Sequence, residues 1–127
     1  MSHMLIIRLT GTPERIVIDD GAGRIGGDLR LRVGDYVGWV NATGRTCKLM
    51  FREVEFGRDQ PRYKGRVWPF EGHGPGGDLE VPPSGWCGQV KALEGGNGRS
   101  VDYVKYDVLV TGDGPSVDLD PVIIIDR

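Results

Sequence analysis

Thiols, an imidazole and a group of carboxylates are the side chains of this 127-residue chain that could hold a metal or attack a substrate. Cys47 and Cys87 lie too far apart for a Cys-x-x-Cys ligand pair, so each reads as a small buried hydrophobe, with a mutual disulfide as the alternative. His73 is the one imidazole beyond the amino-terminal Met1–His3, which has the look of a cloning remnant and is set aside. Cys47, Cys87 and His73 could meet to bind copper or zinc, and Cys87 with His73 could form a nucleophile–base pair. Both arrangements need three or two distant segments to converge, and no spacing in the sequence requires it. Asp113, Asp118 and Asp120 share the stretch Gly112–Asp120 and offer oxygen ligands for calcium. They lack the Asp-x-Asp-x-Asp-Gly spacing, and Asp is common in turns for reasons of its own. Gly21, Gly23 and Gly26 spell Gly-x-Gly-x-x-Gly, but a pyrophosphate site needs a helix to follow and here a strand pattern does, so the motif reads as a turn.

The elements that must position these groups are strands. Met4–Leu9 and Arg15–Asp19 are short, apolar and β-branched. Leu29, Leu31 and Val33 alternate with Arg30 and Arg32, a period of two with one buried face. Tyr36–Asn41 follows the Gly34-Asp35 break, and Cys47, Leu49 and Phe51 then alternate with Lys48, Met50 and Arg52. Another strand is expected around Trp86–Ala92, and one with Val104, Tyr106, Val108 and Val110 on one face. Pro121–Asp126 closes the chain; its run Val122–Ile125 predicts a strand buried on both faces or placed at a subunit contact. No useful window has a 3.6-residue period. With 21 Gly and 8 Pro gathered between these runs, the expected fold is an all-β Greek-key β-sandwich of about eight strands. Residues 1–3 are excluded and 4–127 form a single domain.

One connection is long. Residues 57–78 are rich in Gly, Pro and Arg and carry Arg62, Tyr63, Arg66, Trp68, Phe70 and His73. Long loops in small domains are often functional, and Arg and aromatic side chains carry much of the binding energy at interfaces. Arg62, Tyr63, Arg66, Trp68 and Phe70 are therefore candidate partner anchors. The competing reading has Trp68 and Phe70 folding back as a lid on the sandwich.

Charge narrows the partner classes. The net charge is −2, which excludes a strongly basic nucleic-acid or membrane-surface protein, and no apolar run is long enough for a membrane-spanning helix. Residues 45–66 carry seven cations against three anions, and residues 101–127 two against six. This polarity could steer a partner or promote self-association, or it is an ordinary solvated surface. Arg52, Arg58, Arg62 and Arg66, with Tyr63 and Trp68 between them, have the look of a nucleic-acid surface, but Glu53, Glu55 and Asp59 dilute it.

The stretch RVGDYVGWVN followed by TCKLMF resembles the cupredoxin family, through Gly34, Asp35, Val37, Trp39 and Asn41. LEVPPSGW resembles the family's proline-glycine turn, and VKYDVLV the Tyr-rich strand that runs to the copper-binding Cys. The likeness covers most of residues 29–126 and implies a plastocyanin- or azurin-type shell. Carried over position by position, the first copper His falls at Cys47, the copper Cys at about Val108 and the next His near Thr111. The axial-Met region, Gly114–Leu119, has no Met. The ligand set is missing, so the resemblance implies a metal-free member with Cys47 and Val108 filling the vacated space. LDPVIIID resembles a recurrent ending of metal-free cupredoxin-like proteins of unknown function. The resulting expectation is a non-catalytic binding module with no cofactor, no catalytic residue and no metal. A protein partner or self-association is expected, and nucleic acid is not. A structural domain of a larger assembly is the second class, and a relocated metal or redox site the third. With Met4 as the native start the chain has no charged n-region or cleavage site, which favours a cytoplasmic location; a chain trimmed of a signal peptide would read the same.

Overall fold

A computed structural model describes residues 1–23, 26–52, 67–75, 77–93 and 101–127. Alternating apolar and polar residues build ten strands in the described residues: β1 (Ser2–Thr10), β2 (Arg15–Asp19), β3 (Leu29–Arg32), β4 (Tyr36–Asn41) and β5 (Thr46–Arg52), then β6 (Leu79–Glu80), β7 (Trp86–Gln89), β8 (Val101–Thr111), β9 (Val117–Leu119) and β10 (Val122–Asp126). No helix occurs among these residues, and none is long and apolar enough to cross a membrane.

The strands form two mixed sheets. One has the order β2-β1-β4-β7; the other runs β3-β10-β8-β5-β6, with β9 also on β8. Most neighbours are antiparallel, but β1 pairs in parallel with β4 and β3 with β10. The long strand β8 holds the second sheet together. Lys105–Thr111 pairs with β5 along one edge, while the other edge takes β10 at Val101–Lys105 and β9 at Val108–Val110.

Inner faces follow the period-two pattern. Leu5 and Ile7, Val37 and Trp39, Cys47 and Leu49, Val104 to Val110 at every second residue, and Ile123 and Ile125 are buried and pack as one core. Burial of each such side chain is worth about 1.5–3 kcal/mol. Trp39 is the centre of this layer, with Tyr106, Phe70, Trp86 and Phe51 rings at 5.7, 5.9, 6.3 and 6.5 Å. The Tyr106 hydroxyl donates to the Gly27 carbonyl. Gly27 sits at φ +77°, and a Cβ there would come 2.7 Å from the Ile18 Cδ1, so only glycine lets the chain pass this close.

Three expectations need correction. The run Val122–Ile125 is not buried on both faces: Ile123 and Ile125 point into the core, whereas Val122 and Ile124 are half-buried on the outer face. β10 lies between β3 and β8, so it is an interior strand, and its two inward isoleucines are unavailable for a subunit contact. Cys87 is exposed on β7, not a buried hydrophobe, and no disulfide links it to the buried Cys47. Finally, Val117–Leu119, in the stretch Gly112–Asp120 where no strand is expected, forms β9.

Candidate functional site

The cupredoxin-like motif residues are structural in their contacts. Gly34 donates its N–H to the Val90 carbonyl and Val90 donates to the carbonyl of Asp35, which fastens the β3–β4 turn to the residue that follows β7. The Asp35 carboxylate accepts the Arg32 N–H, and this bond, with the amino terminus and His3 nearby, holds its pKa below the usual carboxylate range. Val37 and Trp39 are core. Asn41, nearly buried, donates Nδ2 to the Arg45 carbonyl at 2.7 Å and accepts the Thr43 N–H at 3.0 Å, and so shapes the β4–β5 turn.

The positions assigned to copper ligands fall at one end of β5 and β8. Cys47 is wholly buried opposite Val110, and Val108 is wholly buried one step along the same face opposite Leu49. Burial pushes the Cys47 thiol up to about 12, so it stays protonated and offers no thiolate at neutral pH. Thr111 is half-buried and supplies a backbone carbonyl to Arg45. His73 is exposed, and no three His, Cys, Asp or Glu side chains among the described residues form a metal-sized group. The carboxylates proposed for calcium are dispersed. Asp118 points out from β9, and Asp120 pairs with Lys105 at 3.2 Å.

Of the five candidate partner anchors, Arg62, Tyr63 and Arg66 lie outside the described residues. Phe70 is completely buried, and Trp68 is half-buried. Their rings are 5.2 Å apart; Phe70 also meets Trp86 at 5.1 Å, and Trp68 meets Phe51 at 5.5 Å. The backbone around Phe70 is tied to β7 and its extension: Glu71 donates to the Gln89 carbonyl and Lys91 to the Pro69 carbonyl. In this segment Phe70 packs as core, the placement that the lid reading describes, and Trp68 shows only part of its ring. Gly74 runs over that ring, where a Cβ would lie 3.0 Å from Trp68 Cγ and Cδ2.

The residue that sequence reading missed is Arg45. Its side chain is only 9% exposed. Nε donates to the Thr111 carbonyl at 3.2 Å and Nη2 to the Pro115 carbonyl at 2.7 Å, while Nη1 lies 3.9 Å from a Glu14 oxygen. One guanidinium thereby joins the β1–β2, β4–β5 and β8–β9 turns. Two clefts open beside it. The first, of about 660 Å³, is lined by the β4–β5 turn with Glu80, Val81, Pro82, Pro83 and Asp113. The second, of about 580 Å³, lies between Gly11–Glu14 and Pro115–Asp118. The only sequence signal for Arg45 was its place in a turn next to a strand; its carbonyl partners lie 66 and 70 residues further on. No known protein family and no curated protein matches the chain.

Proposed function

We propose that this protein is a non-catalytic, cupredoxin-like interaction module that has the Greek-key shell of an electron carrier without its type-1 copper site. The observation that carries this reading is the burial of Cys47 and Val108, side by side with Leu49 and Val110 in one apolar inner face. A copper site there would need imidazole and thiolate groups open to a metal. The pairing of β1 with β4 and of β3 with β10, both parallel in otherwise antiparallel sheets, supports the cupredoxin-like assignment. So does the use of Gly34, Asp35, Val37, Trp39 and Asn41 as turn and core residues.

Recognition of a protein partner falls to segment 57–78. With Phe70 inside the sandwich, the anchors are Arg62, Tyr63, Arg66 and the open edge of Trp68. Two experiments test the reading. After incubation with copper(II) and gel filtration, the protein should retain far less than one equivalent; stoichiometric copper with a thiolate charge-transfer band refutes the loss of the site. Affinity capture from the protein's own cells should yield a partner that the triple variant Arg62→Ala/Tyr63→Ala/Arg66→Ala no longer holds, with unchanged melting behaviour. Equal capture by the two refutes the assignment of the anchors.

A further inference from the structure

We propose that Asp113-Gly114, in the turn between β8 and β9, is a site of spontaneous isoaspartyl conversion, and that its product is a substrate for enzymatic methylation of the newly freed α-carboxylate. The proposal uses none of the residues of the copper-site or partner-anchor readings and stands whether or not those hold.

The reaction is an internal condensation. The Gly114 amide nitrogen attacks Cγ of the protonated Asp113 carboxyl. The Cγ–N bond forms, the Cγ–OH bond breaks, and the hydroxyl leaves with the amide proton as water. Water then opens the five-membered succinimide. Addition at Cγ restores aspartate. Addition at the Asp113 main-chain carbonyl carbon breaks its bond to the Gly114 nitrogen and leaves the chain running through Cβ and Cγ, with a free α-carboxylate. Glycine is the following residue that crowds this attack least, and at position 114 the fold requires it: φ is +138°, a conformation that residues with side chains rarely adopt.

The described residues contain this dipeptide twice, and the structure treats the two copies differently. Gly21 and Gly114 are both exposed, and Gly21 also has a positive φ, +79°. At Asp20-Gly21 both reacting groups are held. The Gly21 N–H donates to Asp19 Oδ1 at 2.8 Å, and Asp20 Oδ1 accepts the Ala22 N–H at 2.8 Å. Attack there costs the nucleophile one hydrogen bond and the electrophile another. At Asp113-Gly114 the aspartate is exposed, and neither its carboxylate nor the Gly114 N–H makes a hydrogen bond among the described residues. The Arg45 guanidinium lies against Gly114, with Nη1 and Cζ 3.4 Å from the place a Cβ would take, and Nη1 has no hydrogen-bond partner among the described residues. A fixed cation beside the reacting amide favours the negative charge that develops during attack. Conversion adds Cβ to the main chain just before Gly114 and Pro115. The Pro115 carbonyl accepts Arg45 Nη2 at 2.7 Å, so the isoaspartyl form loosens that tie.

The test incubates the whole chain in mildly acidic buffer at physiological temperature. Isoaspartate is then read in tryptic peptides by an isoaspartyl methyltransferase with S-adenosylmethionine and located by fragment mass spectra. Cleavage after Arg15, Arg24 and Lys105 puts Asp20 in the peptide 16–24 and Asp113 in the peptide 106–127. Asn97-Gly98, outside the described residues, falls in a third peptide. In the folded protein Asp113 should convert at least about tenfold faster than Asp20. In urea, where the held groups are released, the two rates should agree within about threefold. Asp113→Glu, which forms no five-membered ring, should abolish methylation of the peptide 106–127. The isoaspartyl form, separated by ion exchange, should melt about 3 °C or more below fresh protein. The proposal is overturned by equal rates in the folded chain, by a gap of the same size in urea, by methylation of the peptide 106–127 that survives Asp113→Glu, or by unchanged melting of the isoaspartyl form.

Discussion

Replacing Arg45 by Ala removes a side chain that spans three turns, and its cost can be built from its contacts. Nη2 to Pro115 at 2.7 Å is a short charge-assisted bond, and Nε to Thr111 at 3.2 Å a longer one. Hydrogen bonds to charged groups contribute about 1.5–3 kcal/mol each, but the two carbonyls lie near solvent and regain water in the variant, which offsets part of the loss. The two stem methylenes beyond Cβ, which alanine lacks, add about 0.8 kcal/mol each. The expected loss is about 3 kcal/mol, which in a chain of this size lowers the melting temperature by about 10 °C. Glu14→Gln should cost less than about 0.5 kcal/mol, because that carboxylate is half exposed and stands 3.9 Å away. Arg45→Lys should fall between wild type and Arg45→Ala, since an ammonium cannot reach two carbonyls in the fork geometry of a guanidinium. Urea denaturation of the three variants measures the series. If Arg45→Ala loses less than about 1 kcal/mol, or Glu14→Gln loses as much as Arg45→Ala, the guanidinium does not hold the turns together by these bonds.

Further expectations concern the core and its thiols. With an aromatic disulfide reagent near pH 8, one thiol, Cys87, should react quickly and Cys47 only after denaturation; two fast thiols refute the burial of Cys47. The Cys47 pKa is raised in the fold from its ordinary 9.0 to about 12, so its contribution to stability is complete below pH 9 and is lost as pH rises from 9 toward 12. Cys47→Ala should flatten that slope without abolishing it, because burial also raises the pKa of Tyr106; an unchanged alkaline slope in pH-dependent unfolding counts against the assignment. Gly88→Ala would place a Cβ 2.5 Å from Trp86 Cη2 and 2.9 Å from Phe70 Cγ. It should destabilise by about 1–3 kcal/mol and alter the near-ultraviolet aromatic dichroism, whereas a variant as stable as wild type would show that the rings have room. Asp102 is fully buried against Arg127, which donates Nε and Nη2 to its two oxygens at 3.0 Å. Arg127→Ala should cost about 3–5 kcal/mol by stranding that charge, and Asp102→Asn/Arg127→Met clearly less; the reverse order in urea unfolding refutes the pairing.

The same pair explains where sequence reading of the strands stopped short. Short apolar, β-branched runs located β1 and β2, and alternation with one apolar face located β3 to β5, to within a few residues. β8 was expected from Val104, but it begins at Val101. Asp102 occupies an inner-face position there, and a carboxylate at that step breaks the pattern until its partner at residue 127 is known. β6 is two residues long, too short to show any period. β9 is embedded among Asp, Gly and Pro and takes its pairing from β8, which a local reading cannot see. For β10, four consecutive apolar residues are equally consistent with one or two buried faces. Composition likewise could not decide between Phe70 as an anchor and Phe70 as core, because an aromatic ring serves either; the long-range fastening of residues 69–71 to the β7 strand and its extension decides it.

The split between legible and hidden features bears on what the cupredoxin-like motif means. Gly34 and Asp35 fasten a turn, Val37 and Trp39 fill the core, and Asn41 shapes the next turn; none of these tasks involves a metal. Such residues can be kept for stability alone, whatever side chains stand at positions 47 and 108. Cys47 and Val108 are buried there as apolar volume and place no charged group in the interior. A motif of this kind therefore argues for a shell and is silent on its chemistry.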